Sequence, residues 1–172
     1  TPVRIEDEYS TLYNENIDLL SKDTASFIIN KRQDAMESFK KLGIPGRKHE
    51  NFKYTDLQPY FRNSFKKQLF PKKISFELAD VFHCDVPDLN TEVAVLLNGY
   101  FYDRQKPMKE LPGGILVVSF AQASLQYPDL VKKYYSSYAD FSNDGLVALN
   151  TALSRDGFFM YVPEGISLDK PI

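Results

Sequence analysis

The longest periodic stretch of the sequence runs from Asp23 to Leu42, and Gly43-Ile44-Pro45 cuts it off. Ile28, Ala35, Phe39 and Leu42 recur at helical steps, Asp23 or Thr24 supplies a cap, and Lys40 and Lys41 suit the negative end of a helix. Glycine ends such a helix by turning left-handed, and Pro45 lacks the N–H that continuation needs. The chain must therefore leave this point extended. Upstream, Tyr9, Leu12, Tyr13, Ile17 and Leu20 line one face of an earlier helix over Ile5–Leu20, with Glu6, Asp7 and Glu8 at its positive end.

Past the stop, Gly43 to Leu57 reads GIPGRKHENFKYTDL, a dense mixture of cations, rings and one central acid. Arg47, Lys48 and Lys53 can hold an anion, Phe52 and Tyr54 can stack on a flat ligand, and Glu50 can anchor an arginine. The same residues also suit a docking segment within the fold, because long cationic and tyrosine side chains bury their stems and keep their heads wet. That reading predicts Phe52 and Tyr54 at least half buried, with Glu50 in an ion pair or a capping contact. Thr55 or Asp56 then caps a short helix through Leu57, Phe61 and Phe65.

The second half changes period. Val93 to Leu97, Asn98-Gly99 and Tyr100 to Tyr102 form a strand, a two-residue turn and a strand, since Asn and Gly accept the positive φ angles of a tight hairpin. Pro112-Gly113-Gly114 punctuates, and Ile115 to Phe120 reads as a buried strand. No lysine follows those glycines at phosphate-loop spacing, so they are read as a turn. Ala121 to Gln126 is a helical turn, Pro128 opens a helix bearing Leu130, Val131, Tyr134 and Tyr138, and Asp144 caps a third through Leu153. Phe158 to Val162 is a strand, Pro163-Glu164-Gly165 a turn, and Gly165 to Ile172 a further extended stretch. The fold class is α+β. A helical region spans 1–69 and includes the segment 47–55, a connection with a short helix spans 70–92, and a small mixed sheet with packed helices spans 93–172.

Composition limits what such a fold can do. A formal charge of -2 argues against charge-driven nucleic-acid binding, and no apolar run approaches the ~20 residues that cross a bilayer. Cys84 is the single cysteine, so no intrachain disulfide forms, a reducing cytoplasm fits, and a cluster held by several thiolates has no ligand set here. His83, Cys84 and Asp85 are adjacent, but three consecutive side chains rarely converge on one ion. The chain is expected to carry no catalytic site, metal or cofactor of its own.

Arg47, Glu50, Phe52, Lys53, Tyr54 and Thr55, behind Gly43-Ile44-Pro45, resemble the R-x-x-E-(W/F)-K-Y-T signature of SufB/SufD-family iron-sulfur cluster assembly proteins. The likeness leans to the SufD side, with Phe52 where a tryptophan is usual. Leu97-Asn98-Gly99-Tyr100-Phe101, Leu149-Asn150-Thr151-Ala152, Asp156-Gly157 with Tyr161-Val162-Pro163, and Asp169-Lys170-Pro171-Ile172 are similar in form and order to stretches of such chains. The resemblance covers Leu42 to Ile172. It implies an N-terminal fragment of a longer protein that passes, near its last residues, into the start of a right-handed parallel β-helix. There Gly165 to Ile172 is expected to fray, or to pair with another chain, until neighbouring coils cover it. It also implies a non-catalytic scaffold subunit acting with SufB and the ATPase SufC. Iron-sulfur cluster and reduced flavin belong to the full complex, and the residues tied to cluster formation and SufC docking lie beyond this sequence. A second class stays open beside it, an anion- or nucleotide-binding module built on Arg47, Lys48, Lys53 and Tyr54.

Overall fold

Asn16 splits the first apolar stripe in two. The computed structural model describes residues 3–62, 69, 94–102, 108–168 and 170–172, and in it α1 runs Ile5–Glu15 and α2 runs Ile17–Ser21. The Asn16 side chain donates to the Leu12 carbonyl at 2.8 Å, which satisfies one of the last carbonyls of α1 as the helix ends. Helix α3 spans Ser26–Leu42 and stops, as its sequence predicts, at Gly43 with φ 67°. Its N-cap differs from the expectation. Ala25 holds that position without a side-chain bond, and the Thr24 hydroxyl donates instead to the Leu20 carbonyl at 3.1 Å.

A 3-10 turn at Glu50–Phe52 leads to α4, Gln58–Arg62. Strands β1, Val95–Leu97, and β2, Tyr100–Tyr102, pair antiparallel across Asn98 (φ 50°) and Gly99 (φ 83°), as the sequence predicts. Strands β3, Met108–Leu111, β4, Ile115–Ser119, and β5, Phe158–Tyr161, form a second antiparallel sheet in that order. Helices α5, Phe120–Gln126, α6, Pro128–Tyr134, and α7, Gly145–Leu153, lie between β4 and β5 in the chain. Helices with small sheets bear out the α+β class, although both described sheets are antiparallel where one mixed sheet was expected. After β5 a turn closes with Ile166 N–H donating to the Pro163 carbonyl at 3.2 Å, and no further strand follows among the described residues. The connection 70–92, Phe65, and the His83-Cys84-Asp85 run lie outside the described residues.

Two compact units result, one from Thr1–Lys67 with Ala121–Arg155, the other from Gln68–Phe120 with Asp156–Ile172. In the helical unit α3 packs along α7, and Met36, Phe39, Ala148 and Ala152 are at most 1% exposed. Ile5, Tyr13, Leu20, Ala35, Ile44 and Leu149 complete this core, with Leu57 and Phe61 among the residues packed against it. Asp144 caps α7 as expected, its Oδ1 accepting from the N–H groups of Leu146 at 2.7 Å and Val147 at 3.1 Å. Such a cap is worth about 1 kcal/mol.

Arg32, only 2% exposed, lies inside this unit. Its Nη1 donates to the Leu20 carbonyl and, at 3.4 Å, to the Thr24 hydroxyl, while Nη2 donates to the Ser154 carbonyl at 2.7 Å. Both carbonyls belong to helix C-terminal ends, where partial negative charge collects, so a guanidinium suits the position better than a neutral donor.

In the sheet unit Asp156 ties the hairpin to the larger sheet. One carboxylate oxygen accepts from Ser119 Oγ at 2.7 Å, and the other from the Phe101 N–H at 2.9 Å. Phe101 also stacks on Phe158, with ring centroids 6.2 Å apart.

Candidate functional site

The segment singled out by sequence is held at both ends and turned outward between them. On one side, Gly43 N–H donates to the Phe39 carbonyl at 2.8 Å, Ile44 N–H to Glu6 Oε1 at 3.4 Å, and the Ile44 side chain is buried. On the other, Asp56 Oδ1 accepts from the Gln58 N–H at 3.2 Å at the start of α4, whose Phe61 packs on the core with Leu57. Asp56 Oδ2 also lies 3.7 Å from Arg47 Nε, which links the two ends of the loop.

Between these anchors the backbone winds in three-residue turns. His49 N–H donates to Gly46, Phe52 to His49 and Thr55 to Phe52, each at 2.9 Å, with a longer bond from Lys53 to Glu50 at 3.4 Å. Side chains three apart eclipse in such a turn. His49 and Phe52 accordingly meet, their rings tilted at 57° with centroids 5.6 Å apart. Across 47–55 only Phe52 is not exposed to solvent.

The expected burial of the signature therefore needs correcting. Phe52 is more than half buried, as expected, but Tyr54 is 92% exposed, and its ring carries Lys53 Nζ at 5.7 Å from the centroid. Glu50 is exposed too and makes no ion pair among the described residues; the acid that partners Arg47 is Asp56. The reason lies in Gly43-Ile44 and Leu57: these residues dock the segment, so the charged turn between them is free of that task. Arg47, Lys48, Lys53 and Tyr54 all stay on the surface, the last two side by side.

A second feature is an open recess of about 450 Å³ in the helical unit, lined by Tyr135, Ser136, Tyr138, Leu146, Val147 and Thr151 among others. Burial raises the Tyr135 hydroxyl above its ordinary value of 10.0, with Arg32 opposing. No sequence signal marked this recess. Among the described residues no group of three or more His, Cys, Asp or Glu side chains could hold a metal ion. No helix among them is long and apolar enough to cross a membrane.

The model of the SufBD protein N-terminal region matches residues 3–172. The chain belongs to the SufBD family. This SufBD N-terminal region is 25% identical over 154 residues to an iron-sulfur cluster assembly SufBD family protein of Synechocystis sp., covering 90% of the chain and 33% of that relative. A SufBD family protein of Pyropia yezoensis is 26% identical over 155 residues, with 83% and 31% covered. One of Arabidopsis thaliana is 27% identical over 191 residues, with 94% and 38% covered. The SufBD chain thus spans about a third of the length of these relatives. No solved structure matches it significantly.

Proposed function

We propose that the chain is the N-terminal part of a SufD-like, non-catalytic scaffold subunit that acts with SufB and the ATPase SufC in cytoplasmic iron-sulfur cluster assembly. The observation that carries this reading is the family match across residues 3–172, joined to relatives named for iron-sulfur cluster assembly. The SufD side is favoured by the order of the short motifs around Arg47–Thr55, Leu97–Phe101 and Asp156–Pro163. With one cysteine, these 172 residues are not expected to hold a cluster by themselves, because clusters are generally held by several thiolates. In the whole protein the chain leads, on this reading, into a parallel β-helix.

The test is co-expression of the full-length protein with SufB and SufC. A stable three-component complex is expected, together with no ATP hydrolysis and no stoichiometric iron, zinc or flavin in the 172-residue chain purified anaerobically. Failure to assemble with SufC, or ATP turnover by the chain alone, would overturn the proposal.

A further inference from the structure

The loop between Gly46 and Thr55 has internal order without an internal packing role for most of its side chains. The N–H groups of His49, Phe52, Lys53 and Thr55 all donate to carbonyls of the loop itself. Its shape is thus fixed before any partner arrives, which lowers the ordering cost of binding. Tyr54, 92% exposed on such an ordered turn, offers a ring and a hydroxyl together, the combination that anchors many interfaces. Lys53 lies over its ring, and the same exposed loop carries Lys48 and Arg47, the latter shared with Asp56, against Glu50, in a chain where acids outnumber cations overall. The loop is locally positive on a molecule that is not.

We propose that this loop is a docking element for an acidic segment of a partner protein, with Tyr54 packing on the segment and Lys48, Lys53 and Arg47 pairing with its carboxylates. A small anion fits less well, because the N–H groups of His49, Phe52, Lys53 and Thr55 are already engaged within the loop and leave fewer donors to cradle it. Nucleic acid fits less well too, since three cations with an acid among them give little counterion release. The proposal rests on the scaffold reading only in assuming that the protein works with partners.

The experiment places a benzoylphenylalanine photo-crosslinker at Tyr54 in the full-length protein, expressed in cells from its own gene. The expected product is a crosslink to a second protein, mapped by mass spectrometry to a peptide rich in Asp and Glu. Its yield should fall at least about fivefold with Lys48→Glu plus Lys53→Glu, and likewise in lysate irradiated at about 0.5 M salt. The exposed positions make an unchanged melting temperature for the charge-reversed protein a fair requirement. Crosslinks confined to the protein's own chain, to nucleic acid or to a non-acidic peptide would overturn the proposal, as would a yield indifferent to charge reversal. Co-purification of the unaltered protein with SufB and SufC is scored separately, and its failure would count against the scaffold reading alone.

Discussion

The carbonyl oxygen of Gly43 stands where a side chain on Gly145 would be: a β-carbon at Gly145 would come within 1.8 Å of it. The helix stop after α3 is thus pressed against the first residue of α7, and Glu6 closes the other side of Gly43, where a β-carbon would meet Oε1 at 2.5 Å.

Gly145→Ala is therefore expected to destabilise the helical unit by about 3 kcal/mol, the upper range for overpacking, because backbone rather than a flexible side chain must move. Gly99→Ala, at φ 83° with open space around it, should cost only the ~1 kcal/mol of a left-handed alanine. Urea denaturation of the two variants checks the order; equal losses would show that the backbone at Gly43 yields readily to a side chain at Gly145.

Arg32→Met should lower stability by roughly 3 kcal/mol, because the carbonyls of Leu20 and Ser154 lose charged donors inside the fold. Arg32→Lys should recover only part of that, as an ammonium cannot span both carbonyls with a planar fork. A methionine variant as stable as the parent would mean that burying the guanidinium costs as much as its bonds return.

Asp156→Ala should cost about 2 kcal/mol in the sheet unit by freeing the Phe101 N–H and the Ser119 hydroxyl. Faster amide exchange at Phe101 than in the parent is the specific readout, since generalised loosening would raise exchange along β4 equally.

Tyr54→Ala should leave stability within about 0.5 kcal/mol, whereas Phe52→Ala should cost about 1–2 kcal/mol, as suits a partly buried ring. Thermal melts of the pair decide it, and a large loss at Tyr54 would contradict its exposure.

Burial raises the hydroxyls of Tyr9, Tyr13 and Tyr135 above 10.0. A raised folded value means that the folded state holds the proton more tightly, so this contribution is whole below about pH 10 and is lost as pH rises through the folded values. Urea midpoints should accordingly fall above about pH 10, and less steeply in Tyr13→Phe. An identical slope in that variant would remove Tyr13 from the account.

Several features could be read from sequence because a local rule and the tertiary packing agree. Gly43 stops α3, Asp144 caps α7, and Asn98-Gly99 turns the β1–β2 hairpin. Strand β3 escaped notice because Met108-Lys109-Glu110-Leu111 lacks β-branched or alternating apolar residues and lies at a sheet edge, where pairing rather than propensity makes a strand. Arg32 was legible in principle, four residues after Ile28 and three before Ala35 on the buried stripe, but its carbonyl partners are set by tertiary structure. The signature loop is marked by its residues, but the exposure of Tyr54 is not legible there, since rings and cations suit a covered surface and an open one equally well.

The helical unit is assembled from two stretches of chain separated by the sheet unit, and this sets a timetable during synthesis. Helix α3 leaves the ribosome with only the N-terminal helices to cover Met36 and Phe39, and its mate α7 follows only after more than a hundred further residues, a delay of roughly 5–20 s. Nascent chains halted after Phe120 should be cleaved by protease near α3 at sites that chains carried past Arg155 protect, provided both have cleared the exit tunnel. Until then the first helices are an unfinished surface in a crowded cell, so demand for a chaperone falls on the early part of this protein and ends when α7 arrives.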